Sequence, residues 1–134
     1  KKGYMESDEG WNEDFEKAHA TYGTIRRISD PTSVALFDKL LAECMEKDIK
    51  VILVNSPEYI EGQLFVENRA EIINTYIEFA RKYNLLFLDY SDDEMCFEKK
   101  YFYNAQHLNK FGSEIFNLKL IGDLKYNFKN NPDF

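Results

Sequence analysis

A chain of 134 residues with 44% hydrophobic and 16% aromatic content fits one compact domain, and it carries more large apolar surface than a disordered segment holds. Its 24 acidic against 17 basic side chains give a net charge of −7, which argues against nucleic acid, since a phosphate backbone is bound by clustered Lys and Arg that release counterions. Two cysteines, Cys44 and Cys96, are too few for a disulfide scaffold and read as free thiols, Cys44 at an apolar helical position. No run approaches the roughly twenty apolar residues that cross a bilayer, and no charged-then-apolar secretion signal precedes the domain.

Residues 1–29 are first acidic (Glu6, Asp8, Glu9, Glu13, Asp14, Glu16) and contain Gly3, Gly10 and Gly23 without a sustained period, which predicts an extended lead-in. Asp30 followed by Pro31 is a helix-start signal: the carboxylate caps free amides and proline fits the first turn. Val34, Phe37, Leu40, Leu41, Cys44 and Met45 then recur at helical spacing, predicting a one-faced helix that ends near Lys47. Val51, Ile52, Leu53 and Val54 form a continuous, β-branched run, the pattern of a parallel strand covered on both faces. Pro57 to Gly62 breaks it. A second amphipathic helix carries Ile72, Ile73, Tyr76, Phe79, Ala80 and Tyr83 and stops at Asn84. Leu85, Leu86, Phe87 and Leu88, ending in Asp89, complete a strand, helix and strand crossover of right-handed type.

After this unit comes a long irregular stretch from Tyr90 to His107, then a last helix starting near Leu108 with Phe111, Ile115, Phe116 and Leu120. Long connections at strand ends hold binding or catalytic groups more often than short ones. Ligands of open α/β sheets also sit beyond the carboxyl ends of the strands. Asn55, Ser56, Asp89 and the segment ending in His107 all belong to that edge.

The most informative segment is Tyr101, Phe102, Tyr103, Asn104, Ala105, Gln106, His107, Leu108, Asn109, Lys110, Phe111, Gly112. It resembles the last motif block of SGNH (GDSL-like) hydrolases, in which an Asp and a His three residues later precede the final helix, the His being followed by Leu-Asn and then Gly. The resemblance covers residues 30–134. It implies an α/β fold: a partial flavodoxin-like (SGNH-type) three-layer domain with parallel strands and flanking helices, its N-terminal strands absent from this chain. It also implies an esterase-like site in which His107 takes the general-base position and Asn104 stands where the family has Asp.

Two departures follow from the chemistry of that family. A carboxylate beside the imidazole fixes its tautomer and stabilises the imidazolium formed when a serine loses its proton; an amide orients the ring but carries no charge. Asp89, Asp92 or Asp93 stands as a substitute, and Asn109 as a supporting residue. Second, none of the serines (Ser7, Ser29, Ser33, Ser56, Ser91, Ser113) lies in a Gly-Asp-Ser or Gly-x-Ser-x-Gly setting, so the nucleophile is expected on an upstream segment.

Blander readings stand beside these. A His at a helix start is often a surface or capping residue. Asn104 is a natural turn residue. Asn109 braces or caps the last helix, and Gly112 permits its close packing. The aromatic cluster Phe97, Tyr101, Phe102 and Tyr103 packs the loop onto the core or lines a sugar groove. His19 and His107 are far apart and no Cys/His cluster has zinc spacing, so no metal is implied, and no Gly-rich loop follows either strand, so no nucleotide cofactor is.

Two readings of function remain. One is the C-terminal part of an SGNH-like esterase acting on acyl esters, such as acetyl groups on envelope carbohydrate, completed by an upstream serine. The other is a non-catalytic relative serving as a binding or assembly module. The expected partners are an ester or carbohydrate ligand, and a second copy or the missing N-terminal half docked on the sheet edge. The resemblance further implies an extracytoplasmic or periplasmic location, with anchoring through an upstream segment.

Overall fold

The computed structural model describes residues 10–130. The first nine residues of the expected lead-in, and the last four of the 30–134 unit, lie outside the described residues.

The Asp30 signal works as its chemistry requires. Its carboxylate accepts the backbone N–H groups of Thr32 (3.2 Å) and Ser33 (3.0 Å), and Pro31 opens helix α2 (Pro31–Glu46). This helix lays Phe37 edge-on against Tyr76 and Phe79 of helix α4 (Arg69–Tyr83), with ring centres 5.9 and 5.2 Å apart. Asp38 ties the same pair of helices by accepting from Lys82 Nζ and the Tyr83 hydroxyl.

Strand β1 (Ile52–Asn55) pairs in parallel with β2 (Leu86–Asp89), in a register from Ile52 opposite Leu86 to Asn55 opposite Asp89. The short helix α3 (Ile60–Phe65) and α4 form the crossover between them, and α4 ends on Asn84 in the left-handed region (φ 51°). The architecture is therefore mixed α/β with a short two-stranded parallel sheet. The expected cover on both faces is not found: none of the eight strand residues is buried, and Val54 is 41% exposed. With two strands, each strand is also an edge, and the helices shield only part of the sheet.

The lead-in is not extended throughout. Residues Asp14–Tyr22 form helix α1, stopped by Gly23 at φ 66°. Its cause is tertiary rather than periodic, which explains why no pattern announces it. Phe15 and His19, one turn apart, both lie against Phe65 of α3, and Trp11 packs on Tyr59 at 5.0 Å. Further on, Ile25 makes a parallel bridge to Val66.

The connection from Tyr90 to the last helix also has more order than its sequence suggests. Asp93 caps a 3₁₀ turn (Glu94–Phe97), a second turn covers Lys99–Tyr101, and strand β3 (Phe102–Asn104) pairs antiparallel with β4 (His107–Leu108). Helix α5 (Lys110–Asn130) follows. Phe102 is fully buried, whereas Phe97 is 58% exposed, so the aromatic run is core packing at its centre only. A core of Tyr90, Met95 and Phe116, joined by Leu88, Tyr101, Leu108, Ile115 and Leu120, fastens α5 to the connection and to β2.

Candidate functional site

The hairpin between β3 and β4 brings Asn104 and His107 together. Asn104 Oδ1 accepts the backbone N–H groups of Gln106 and His107, both at 3.0 Å, and lies 2.9 Å from His107 Nδ1. The two backbone groups can only donate, so the amide atom facing them is the oxygen and not the nitrogen. The ring nitrogen that shares this oxygen must then carry a proton. In the neutral imidazole this leaves the Nε2 lone pair free, on a side chain exposed to solvent. Tyr103 lies beside the ring at 6.2 Å. Among the described residues no serine hydroxyl is bonded to His107.

The turn is anchored beside the carboxyl end of β1. Tyr59 donates its backbone N–H to Ala105 O at 3.0 Å, and Gln106 lines one cleft with Asn55, the last residue of β1. A Cβ at Gly62 would come within 2.7 Å of Ala105 Cβ, so glycine is what lets α3 approach the turn this closely.

Asp89 is not part of this pair. Its Oδ1 accepts from Asn55 Nδ2 (2.7 Å), the Ser91 hydroxyl (2.6 Å) and the Ser91 backbone N–H (3.0 Å). Partial burial pushes its carboxyl upward, but the Ser91 and Asn55 hydrogen bonds, with the nearby Arg69 guanidinium, hold it below the ordinary carboxylate range. Ser91 Oγ in turn accepts from Arg69 Nη1 at 3.0 Å, and Arg69 is paired with Glu58 at 3.0 Å. The buried Gln63 amide closes the network by donating to Glu58 O and Ser91 O. Asp89 therefore braces the strand ends, and the expectation that it substitutes for the family's Asp beside His107 is not met. Asp93 is likewise committed elsewhere, to the cap at Met95 and an ion pair with Lys119.

Asn109 is a brace and a cap. Its amide nitrogen donates to Lys100 O at 2.8 Å, while its oxygen accepts Gly112 N–H at 2.9 Å at the start of α5. Cys96 is buried, with burial pushing its thiol upward and its Sγ donating to Tyr90 O at 3.3 Å; Cys44 is also free.

Two clefts flank the hairpin. One, of about 230 Å³, is bounded by Phe15, Ala18 and Phe65 and reaches Asn104 and Ala105. The other, of about 200 Å³, is bounded by Asn55, Glu58 and Arg69. Arg27, Gly62 and Gln106 line both. Sequence reasoning finds Asn55, Asn104 and His107 because they end strands or sit in one short block. It misses Arg27, Glu58 and Arg69, which have no motif and meet only through the fold, and it gives Gln106 no role although that residue stands inside the quoted block.

Among the described residues no group of three or more His, Cys, Asp or Glu side chains could hold a metal ion, and no helix is long and apolar enough to cross a membrane. No protein-family model, no curated protein and no solved structure matches the chain.

Proposed function

We propose that this chain is the C-terminal portion of an SGNH-type, flavodoxin-like hydrolase domain in which His107 stands at the general-base position for cleavage of an acyl ester. The observation that carries the reading is the Asn104 oxygen on His107 Nδ1, which in the neutral ring leaves the lone pair on Nε2, on an exposed side chain in a turn beside the carboxyl end of a parallel strand and just before the last helix. A base that must take a proton from a hydroxyl needs that tautomer. The serine would come from a strand outside these 134 residues, seated on the half-exposed sheet. Acetyl groups on envelope carbohydrate are the proposed substrate class, which sets the site of action outside the cytoplasmic membrane.

A second reading, a non-catalytic binding or assembly module of the same fold, is favoured by the uncharged Asn104. An amide reproduces the orienting role of the family's Asp but offers no charge to an imidazolium. One experiment separates the two: hydrolysis of p-nitrophenyl acetate by the natural protein that contains these residues. The enzyme reading expects turnover that falls by about 10² or more in His107→Ala and rises in Asn104→Asp. Absence of turnover, or turnover indifferent to His107, leaves the binding module.

A further inference from the structure

We infer that Arg27 anchors a binding subsite for a small carboxylate with an apolar body, where the two clefts meet. The segment before α2 runs along the end of α3: Ile25 N–H donates to Phe65 O at 2.8 Å and Glu67 N–H donates to Ile25 O at 2.9 Å. Arg27 is then clamped at its backbone by the buried Asn68, whose Oδ1 accepts Arg27 N–H at 2.9 Å and whose Nδ2 donates to Arg27 O at 2.8 Å. Side chains of an extended segment alternate in direction, and the two adjacent arginines have different fates. Arg26 Nη2 donates to both carboxylate oxygens of Glu71, each at 2.8 Å. The Arg27 guanidinium makes no hydrogen bond or ion pair among the described residues, although the chain carries an excess of acidic side chains.

The surroundings of that free guanidinium select a ligand class. Of the carboxylates on the two clefts, Glu58 is paired with Arg69, whereas Asp14 accepts from the neutral Asn12 amide at 3.0 Å and keeps its charge. Arg27 is thus left unpaired where the two clefts meet, on an exposed side chain. A guanidinium presents a planar fork that matches a carboxylate in two parallel hydrogen bonds. Gln106, which lines both clefts, offers a neutral donor beside it. On the side away from Arg69 the wall is Phe15, Ala18 and Phe65 together with Asp14, a lining that suits a ring or a short acyl chain and opposes a second negative charge. The backbone clamp holds the arginine in place without occupying its side chain. The subsite does not depend on catalysis at His107: binding can succeed where ester hydrolysis fails, and the reverse.

The test is a titration of ¹⁵N-labelled chain with benzoate, followed by backbone amide shifts, with benzamide as the neutral isostere and inorganic phosphate as the other oxyanion. Benzoate is expected to move the amides of Gly62, Phe65, Ala105 and Gln106, and benzamide to move them weakly. In Arg27→Gln the benzoate affinity is expected to fall about tenfold or more, with an intermediate loss in Arg27→Lys, which keeps the charge but not the fork. The side chain has no partner in the fold, so the Tm of both variants should stay at the parent value. The inference is overturned if benzamide binds as well as benzoate, if Arg27→Gln retains the affinity, or if no amide moves. It is equally overturned if phosphate moves the same amides in preference, which would make this a phosphoryl-anion site.

Discussion

The Asn104 oxygen collects donors from Gln106, from the His107 backbone and from the His107 ring, all inside one four-residue turn. In the neutral ring, long-range ¹⁵N correlation spectra should therefore show His107 as the Nδ1–H tautomer. Asn104→Ala should release the ring to a mixture of tautomers; an unchanged spectrum would mean that the amide does not set it. Asp89 gives a second prediction, with its sign fixed by linkage. Its folded-state carboxyl lies below the ordinary 3.8, so its stabilisation is present above that value and lost as pH falls through the folded one. Urea midpoints measured from pH 5 down to 2 should fall less steeply for Asp89→Asn than for the parent chain. The Asn104–His107 pair was legible in the sequence because its contacts are local. Arg27 meets Asn68 from 41 residues away and Arg69 meets Ser91 from 22, and no spacing encodes such distances.

Helix α5 begins where two backbones nearly touch. A Cβ at Gly112 would stand 2.1 Å from Tyr101 O, so Gly112→Ala must push the helix off the turn that carries Tyr101. Overpacking of this kind costs about 1–3 kcal/mol, read as a lower urea midpoint at an unchanged slope. Loss of the Asn109 cap in Asn109→Ala should cost about 1 kcal/mol. A neutral Gly112→Ala would show that the helix start yields freely. At this scale the sequence was readable wherever an element carries its own signal: Asp30-Pro31 starts α2, Asn84 ends α4, and two aliphatic runs are the strands. It was not readable for α1, whose helix rests on Phe65 more than on its own pattern, nor for the β3–β4 hairpin, too short to show alternation.

The whole molecule leaves much apolar surface uncovered. Helix α5 has apolar side chains around most of its circumference, the composition of a helix packed on several sides, yet only Gly112 and Phe116 are buried. Leu118 is 74% exposed and Ile121 48%, and Val54 adds apolar surface on β1. Apolar area of this kind drives association unless something covers it, whether a second copy or the rest of a larger domain. Sedimentation velocity of these 134 residues alone should show a mass that rises with concentration in the micromolar range, held together by the hydrophobic contribution of about 25 cal/mol per Å² buried. The double variant Leu118→Lys, Ile121→Lys should shift that equilibrium toward monomer with little change in Tm, because neither side chain supports the fold. Monomeric behaviour of the parent across that range would mean that the exposed face of α5 drives no self-association. A double variant that associates as strongly as the parent would move the contact to the strand edge at β1.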